Sequence, residues 1–338
     1  MKATAFINRR PAQLSTGRSL ATVAIDVEED FDWSNPVQGT AQSTGHLRNL
    51  RQLSSILAAY GAKPTYLLTY PVLQDPDAVT IIRHQLERGL CAVGVQLHPW
   101  VTPPFGETPS TRASFLGNLE AAQQEAKLVT QIEAFVACFG MRPKIYRAGR
   151  YGLSPTTPYL LEKHGFTVDT SIAPRTNFTA EGGPNYVQFG ADMFWFGAQR
   201  SILELPLCRD IVGWGGRFAP RLYRFVGAKP DAQSRLIALL ARSRFAERIT
   251  LSPEGNEGPA MQRLVHGLER RRGRGKSGVF SLSFHSSSLQ VGRNPYVRSQ
   301  ADLHDFYDRL SEMLDGLDRR QRVKFVAVED IPAMLVPA

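Results

Sequence analysis

The fold of this 338-residue chain is decided by the stretch LATVAIDVEED, residues 20–30. Its first part, Leu20 to Asp26, is a short run of apolar and β-branched residues, which predicts a buried strand. Carboxylates begin at Asp26 and occupy four of the last five positions of the stretch. In parallel α/β barrels, catalytic groups gather at the carboxyl ends of the strands. These carboxylates are therefore the first candidates for a functional site.

Strand and helix patterns alternate from this stretch to the end of the chain. Further strands are predicted at residues 64–69, 90–98, 144–147, 166–169, 202–207, 248–251, 279–284 and 324–328. Helices are predicted at residues 43–60, 75–89, 111–139, 155–164, 232–243, 258–271 and 299–317. Regular alternation of this kind implies parallel strands with helices outside. The predicted fold class is α/β, as one barrel-like domain over residues 20–338. Glycine-rich nucleotide motifs are absent from the sequence, which disfavours a nucleotide-binding fold.

The composition is that of an ordinary globular protein, with 43% hydrophobic and 21% charged residues. It excludes a wholly disordered chain and a fibrous repeat. The three cysteines, Cys91, Cys138 and Cys208, are far apart, which argues against a disulfide scaffold and a cysteine-rich zinc site. No run approaches the roughly 18 consecutive apolar residues of a membrane span, so no transmembrane segment is predicted.

The basic residues that give the formal net charge of +9 are spread over the whole chain. Its densest basic run, residues 270–276, lacks aromatic neighbours and is predicted to be a solvated loop, so nucleic acid is not a predicted partner. Residues 1–19 are basic and free of acidic residues, which predicts a disordered basic tail. They also lack the apolar stretch of a secretory signal, which predicts a cytoplasmic protein.

Polar side chains follow four later predicted strands as well. One of these strands, residues 279–284, is followed by His285, a candidate general acid because imidazole can donate a proton near neutral pH. Any single strand end of this kind is an ordinary polar loop, but five together indicate an active site. The other strand-end residues are Gln96 and His98, Arg147, and Asp169.

Two of these strand ends predict a metal site. Asp26 and Glu28 are two residues apart and face the same way, and so do Gln96 and His98. This mixture of oxygen and nitrogen ligands suits a catalytic divalent metal with an open coordination position. Arg147 beside the two carboxylates would keep them ionised.

Together these strings resemble the NodB-type polysaccharide deacetylases, carbohydrate esterase family four, and match their WalW-like branch most closely. The motifs occur in the order expected for the family, and the resemblance extends from about Leu20 to Leu317. The matching motifs are IDVEE (25–29), QLHPW (96–100) with TPP (102–104), YRAGRYG (146–152), DTS (169–171), and SFHS (283–286) with NPYVR (294–298).

The resemblance implies a distorted (β/α)7 barrel and metal-assisted hydrolysis of an acetyl group, usually an N-acetyl group on an amino sugar. It places the general base at Asp26 and a metal ligand at Glu28. Arg147 matches the arginine that orients the base, and His285 matches the catalytic histidine. Asp169 matches the carboxylate that supports this histidine.

The second motif departs from the family pattern, which normally offers two histidines to the metal. Gln96 stands where the first is expected, while His98 is retained. An amide oxygen is a poorer zinc ligand than imidazole, so metal binding should be weaker. A divalent metal, zinc by resemblance, is still the predicted cofactor. Asp30, Asp32 or His46 could compensate for the lost histidine.

The predicted partner is an acetylated glycan or glycan precursor, with Trp100, Tyr151 and Trp214 stacking on sugar faces. These aromatic residues and Trp195 could instead pack in the hydrophobic core, and we expect that role for at least half of them. In the cytoplasm, the substrate would be a nucleotide- or lipid-linked precursor rather than a wall polymer.

Two alternatives to deacetylation remain open. Because of Gln96, the chain could be a glycan-binding protein that has lost its chemistry. It could also be a glycosidase with paired carboxylates such as Asp26 and Asp169, which would have to lie about 5–10 Å apart across a groove. A nucleic-acid binder has only the basic charge in its favour.

Overall fold

The structure, a computed structural model, describes residues 9–33, 43–216, 218–227, 239–273, 275–320 and 323–336. The strands are β1 (Arg10–Pro11), β2 (Ser19–Val27), β3 (Thr65–Leu68), β4 (Ala92–Leu97), β5 (Ile145–Ala148), β6 (Val168–Asp169), β7 (Phe194–Phe196), β8 (Ile202–Glu204), β9 (Arg209–Val212), β10 (Glu247–Thr250), β11 (Val279–His285) and β12 (Val323–Phe325). The α-helices are α1 (Leu50–Ala58), α2 (Tyr70–Gln74), α3 (Pro76–Glu87), α4 (Ala121–Phe139), α5 (Thr157–Lys163), α6 (Ala219–Gly227), α7 (Gly258–Arg272) and α8 (Gln300–Asp318). Short 3-10 helices span Gly45–Asn49, Leu116–Asn118, Gly149–Tyr151, Thr179–Glu181, Ser286–Leu289, Val328–Asp330 and Pro332–Met334.

One mixed sheet organises the molecule. Its strand order is β1-β7-β8-β6-β5-β4-β3-β2-β11, and β12 lies beside the first residues of β2. Every neighbouring pair from β8 to β11 is parallel, while β7 and β1 are antiparallel additions at one edge. The parallel sheet with helices between successive strands confirms the predicted α/β fold.

An antiparallel pair of strands bridges the two ends of the parallel part of the sheet. β9 and β10 pair only with each other in a separate antiparallel sheet. The backbone N–H of Leu251, just after β10, donates to Cys208 O at 2.8 Å, and Ser283 of β11 donates to Leu251 O at 3.1 Å. These two hydrogen bonds link β11 to the segment that follows β8, and in the described part of the chain β8 and β11 do not pair directly.

The helices bury apolar stripes against the sheet. On α8 the buried residues Phe306, Leu310 and Met313 recur at helical spacing, and the Phe306 ring contacts that of Phe284 on β11 at 5.3 Å. Burying one such side chain stabilises the fold by about 1.5–3 kcal/mol. Ser299 caps the N-terminus of the helix, because its hydroxyl accepts a hydrogen bond from the Asp302 backbone N–H.

Two predicted helices are shorter in the structure. The helix predicted over 43–60 divides into the 3-10 turn Gly45–Asn49 and α1, and the turn buries His46 and Leu47. The helix predicted from residue 111 begins only at Ala121. Its predicted first part is instead held against the loop after β5, because the Gly117 N–H donates to Gly152 O at 3.1 Å.

The end of the predicted basic tail is ordered. Residues 10 and 11 form β1 against β7, and the Arg9 guanidinium lies 5.0 Å from the centre of the Phe189 ring. The prediction of disorder is therefore wrong for residues 9–19, because backbone pairing and ring contacts hold them to the sheet. Residues 1–8 lie outside the described residues, as does most of the helix predicted over 232–243.

The basic run at 270–276 is also not simply a solvated loop. Helix α7 continues to Arg272, and the Arg271 Nη2 atom lies 2.7 Å from Asp210 Oδ2. In the described part of the chain, no helix has the length and apolar character needed to cross a bilayer.

Close packing of β4 on β5 predicts that Gly94→Ala destabilises the fold. A Cβ atom at Gly94 would lie 2.7 Å from the Ile145 Cβ and 2.8 Å from its carbonyl oxygen. Overpacking of this kind costs about 1–3 kcal/mol, which urea unfolding would measure. Gly17→Ala is the control, because a Cβ there has no neighbour within 4 Å. Equal unfolding free energies for the two variants would contradict this account of the sheet.

Candidate active site

Strand register brings the predicted residues to one edge of the sheet. His285 of β11 is directly opposite Asp26 of β2, and Gln96 of β4 is opposite Arg147 of β5. The carboxyl ends of these strands open into a cavity of about 500 Å³. The predicted residues that line it are Asp26, Glu28, Gln96, His98, Trp100, Arg147, Tyr151 and His285.

Asp26 lies between two cationic groups. It is buried, and the Arg147 guanidinium donates through Nη1 to its Oδ1 atom. Arg147 is itself held by Thr170 Oγ1 at 2.9 Å and Ser283 Oγ at 3.1 Å. On the other side, the His285 Nε2 atom is 3.6 Å from Asp26 Oδ2. The carboxylate is thus oriented towards the cavity with few alternative positions.

His285 is supported by Glu254, which the sequence reasoning missed. The His285 Nδ1 atom is 2.8 Å from Glu254 Oε2, and the His285 backbone N–H donates to Glu254 Oε1 at 2.9 Å. Burial alone lowers the pKa of His285, but the charges of Glu254, Glu28 and Asp26 outweigh burial and raise this pKa to about 10. His285 is therefore protonated at neutral pH in this arrangement. Glu254 follows β10, so the same strand-end pattern that revealed the other residues could have found it.

The predicted support of His285 by Asp169 is wrong, because Asp169 does not reach the histidine. It lies opposite Glu204 in the sheet and accepts a hydrogen bond from the Ser171 hydroxyl. Burial raises the pKa of Asp169 to about 6, and burial and the charge of Asp169 raise the pKa of Glu204. Their adjacent burial and raised pKa values predict that the two carboxyl groups share a proton, and neither residue lines the cavity. This placement also removes the geometric basis for a glycosidase that pairs Asp26 with Asp169.

The second motif places His98 between two glutamates. Its Nδ1 atom is 2.9 Å from Glu29 Oε1, and Glu29 is further held by the Thr69 hydroxyl at 2.7 Å. Burial tends to raise the pKa of Glu29, but His98 and the Thr69 hydroxyl lower it overall. A carboxylate that is hydrogen-bonded to one imidazole nitrogen orients the other nitrogen, as it does in histidines that bind a metal. The remaining Nε2 atom lies 3.6 Å from Glu28 Oε2.

Glu28 and His98 fit a divalent cation, while Gln96 fits only through its oxygen. The Glu28 Oε1 and Gln96 Oε1 atoms are buried and have no hydrogen-bond partner. The Gln96 amide nitrogen lies 3.1 Å from His98 Nε2 and 3.4 Å from Glu28 Oε2. Burial raises the pKa of Glu28 well above its usual range, which a bound cation would oppose.

Two of the three candidates to replace the missing histidine, His46 and Asp30, bind other groups. His46 Nδ1 contacts Asp30 Oδ1 at 3.1 Å, and its Nε2 contacts the Ser286 hydroxyl at 2.9 Å. Neither His46 nor Asp30 lines the cavity. Among the residues that the structure describes, no group of three His, Cys, Asp or Glu side chains could hold a metal.

Aromatic side chains surround the cavity, although the predicted set is only partly correct. The Trp100 ring stacks on His98 at 4.3 Å, and the Trp33 ring meets His285 edge-on at 4.9 Å. Trp214 does not line the cavity; it is 73% exposed and contacts Phe245 instead. Its predicted contact with substrate is therefore wrong for this arrangement. The aromatic residues that line the cavity are Phe31, Trp33, Trp100, Tyr151, Phe178 and Tyr296.

Comparison with known proteins identifies the fold. No family model matches the chain, and no curated protein matches it in sequence. A solved structure from Mycobacterium smegmatis, assigned as a polysaccharide deacetylase, is 17% identical over 96% of both chains, with a TM-score of 0.53.

Two further solved structures are similar. One, from Pseudomonas aeruginosa PAO1 and also assigned as a polysaccharide deacetylase, is 12% identical over 94% of this chain and 91% of that chain, with a TM-score of 0.54. Another, from Parabacteroides distasonis and assigned as a glycoside hydrolase/deacetylase, is 14% identical over 93% of this chain and 70% of that chain, with a TM-score of 0.55. The chain therefore has the fold of the polysaccharide deacetylases.

The contact of Glu254 with His285 predicts that replacing Glu254 changes the pKa of His285. Glu254→Gln removes a negative charge that raises the pKa of His285, so this pKa should fall. The imidazole signal of His285 in an NMR titration would measure the change, and the alkaline limb of any activity profile should move to lower pH. Asp308→Asn, an exposed change on α8, is the control. An unchanged titration of His285 in Glu254→Gln would contradict the assignment.

The carboxyl pair predicts a pH dependence of stability. Both pKa values are raised in the folded state, so the pair stabilises the fold at low pH, and this contribution is lost as the pH rises through the raised pKa of each group, which is about 6 for Asp169. In Glu204→Gln, an amide can donate to Asp169 without a shared proton. Its unfolding free energy should therefore fall less than that of the wild type between pH 4 and pH 8, as followed by urea unfolding. Parallel pH curves for the two proteins would argue against proton sharing.

Proposed function

We propose that the protein hydrolyses an acetyl group, carried as an N-acetyl amide, from an amino sugar in a glycan or glycan precursor. The observation that carries this proposal is Asp26 lying between Arg147 and a Glu254-supported His285 in an aromatic-lined cavity. Amide hydrolysis requires a base and a protonated acid at one reacting centre. The shared fold with proteins assigned as polysaccharide deacetylases supports the same reaction.

The roles of the residues follow from their contacts. Asp26 takes the proton from a water molecule as its oxygen attacks the acetyl carbonyl carbon, and Arg147 keeps the carboxylate oriented. His285, protonated at neutral pH, gives its proton to the amide nitrogen as the carbon–nitrogen bond breaks. The products are acetate and the free amine. Glu254 holds the imidazole so that Nε2 rather than Nδ1 faces the cavity.

The proposal includes a divalent metal, zinc by resemblance. Glu28 and His98 would hold it, with Gln96 as a weak amide ligand, and Glu29 would keep His98 in position. When bound, such an ion polarises a carbonyl and lowers the pKa of a bound water. The proposal also includes membership of the WalW-like branch and a cytoplasmic site of action.

A second candidate function is glycan binding without catalysis. The observation that favours it is Gln96, whose amide nitrogen rather than an imidazole faces His98 and Glu28. In that case the aromatic-lined cavity would still bind a sugar, but no acetate would be released.

Acetate release from acetylated amino-sugar oligomers tests the leading proposal. We expect wild-type protein with added divalent metals to release acetate, and Asp26→Asn to reduce the rate by about 10²–10⁴-fold, because the general base is lost. Asp308→Asn is the matched control, since Asp308 is exposed on α8 and lies outside the cavity. No release by the wild type with any metal, and no difference from Asp26→Asn, would reject the proposal.

Replacement of Gln96 tests the metal site. We expect Gln96→His to bind zinc more tightly than the wild type, because imidazole is a better ligand than an amide oxygen. Metal content after dialysis against a weak chelator would measure this. An equal zinc content would place Gln96 outside the ligand set. Acetate release that appears only in Gln96→His would favour the glycan-binding alternative for the natural chain.

A further inference from the structure

The cavity also contains positive charge that the proposed chemistry does not use. Four arginines line it, and two are neutralised by carboxylates: Arg147 by Asp26 and Arg150 by Glu181. The other two are Arg209 and Arg248, and no carboxylate in the described part of the chain pairs with either.

The contacts of these two arginines are with neutral groups. Arg209 donates through Nε to Thr250 Oγ1 and through Nη1 to Thr176 Oγ1, both at 2.7 Å. Arg248 donates to the Arg175 carbonyl oxygen, at 3.4 Å, and has no other hydrogen-bond acceptor among the described residues. Both guanidinium groups therefore keep a full positive charge and unused donors.

The antiparallel pairing of β9 with β10 holds the two arginines close together. Arg209 lies opposite Thr250, and Arg248 is two residues before Thr250 on the same strand. Diagonal neighbours of this kind have Cβ atoms within about 7–8 Å and share one face of the sheet. Burial, and in addition the charge of Arg248, lower the pKa of Arg209, although a guanidinium stays protonated in proteins.

Nearby carboxylates are already engaged by other groups. Asp210 on β9 pairs with Arg175 at 2.9 Å and with Arg271 at 2.7 Å. Glu254, after β10, is held by His285 at 2.8 Å. The repulsion between Arg209 and Arg248 is therefore not relieved within the described part of the protein.

Arg209 is also close to the reacting centre. It shares with His285, Tyr151 and Tyr296 the lining of a second cavity, of about 230 Å³, next to the first. A group bound by Arg209 would thus lie beside the proton donor, within the dimensions of one sugar substrate.

We propose that Arg209 and Arg248 form a subsite for an oxyanion, a phosphate or carboxylate group attached to the acetylated sugar. Planar guanidinium groups bind such oxyanions through paired, charge-assisted hydrogen bonds. The identity of the sugar rests on the proposed deacetylase function, whereas the oxyanion itself rests on the two arginines. The substrate class is thus an anionic amino sugar rather than a neutral polymer.

Binding of matched sugars to the full chain tests this subsite. The ligands are N-acetylglucosamine 1-phosphate, N-acetylmuramic acid, which carries a carboxylate, and the neutral methyl glycoside of N-acetylglucosamine, each titrated calorimetrically. We expect at least one anionic sugar to bind about tenfold or more tighter than the neutral one, and added salt to reduce the difference. A preference for the phosphate or the carboxylate sugar identifies the source of the oxyanion.

Substitutions of the two arginines test whether they cause the preference for anionic sugars. Arg248→Gln should weaken binding of the anionic sugar by about 10–100-fold and leave the neutral sugar unaffected. Arg209→Lys keeps the charge but loses the paired geometry, so its effect should be smaller. Arg263→Gln is the control, because it also removes an arginine, one that pairs with Glu247 and does not line the cavity. Equal binding of neutral and anionic sugars by the wild type, or equal effects of Arg248→Gln and Arg263→Gln, would overturn the subsite.

Acetate release in the same samples separates the two proposals. Charge-selective binding without acetate release would support the subsite and contradict the deacetylase function. Acetate release with the same kcat/KM from neutral and anionic sugars would contradict the subsite and leave the deacetylase function intact. If both are correct, Arg248→Gln should raise KM for the anionic sugar and leave kcat nearly unchanged, as expected for uniform binding.

Discussion

The site depends above all on the parallel pairing of β2 with β11. Seven consecutive residue pairs hold these strands in register, and the last of them sets His285 directly beside Asp26. A slip of one residue would turn alternate side chains to the other face and separate the base from the acid. Helix α8 packs on β11 through Phe306 and Phe284, so the apolar core maintains the register. Chemistry and core packing are therefore consequences of the same pairing.

Buried charge is the second constraint on the site. Four carboxylates surround the cavity floor; three have a basic partner of their own, whereas Glu28, among the described residues, has only His98, 3.6 Å away and already paired with Glu29. Asp26 uses Arg147, Glu254 uses His285, and Glu29 uses His98. In the described part of the chain, Glu28 pairs with no lysine or arginine, and its pKa is raised by burial. An uncompensated carboxylate is costly to bury, which is why this position is the natural place for a cation.

The cavity therefore has two regions with opposite charge requirements. The floor, built from the ends of the parallel strands, is rich in carboxylates and presents a base and an acid. The wall, built from the antiparallel β9–β10 pair, presents Arg209 and Arg248. Glu254 follows β10 in the chain, so the same segment both supports the catalytic histidine and carries the unpaired arginines. Such a division lets recognition change without disturbing the strands that carry the chemistry.

The sequence by itself determined the α/β class, the strand order along the chain and the residues at the strand ends, among them Asp26, His98, Arg147 and His285. These features are local, because an apolar run followed by a polar residue can be recognised without knowing its neighbours. Only the tertiary structure decided that Glu254 rather than Asp169 supports His285, that Trp214 does not line the cavity and that residues 9–19 pack against the sheet. Each of these depends on which distant segments come together. Contacts between residues far apart in the chain are set by packing and register, and no local pattern encodes them.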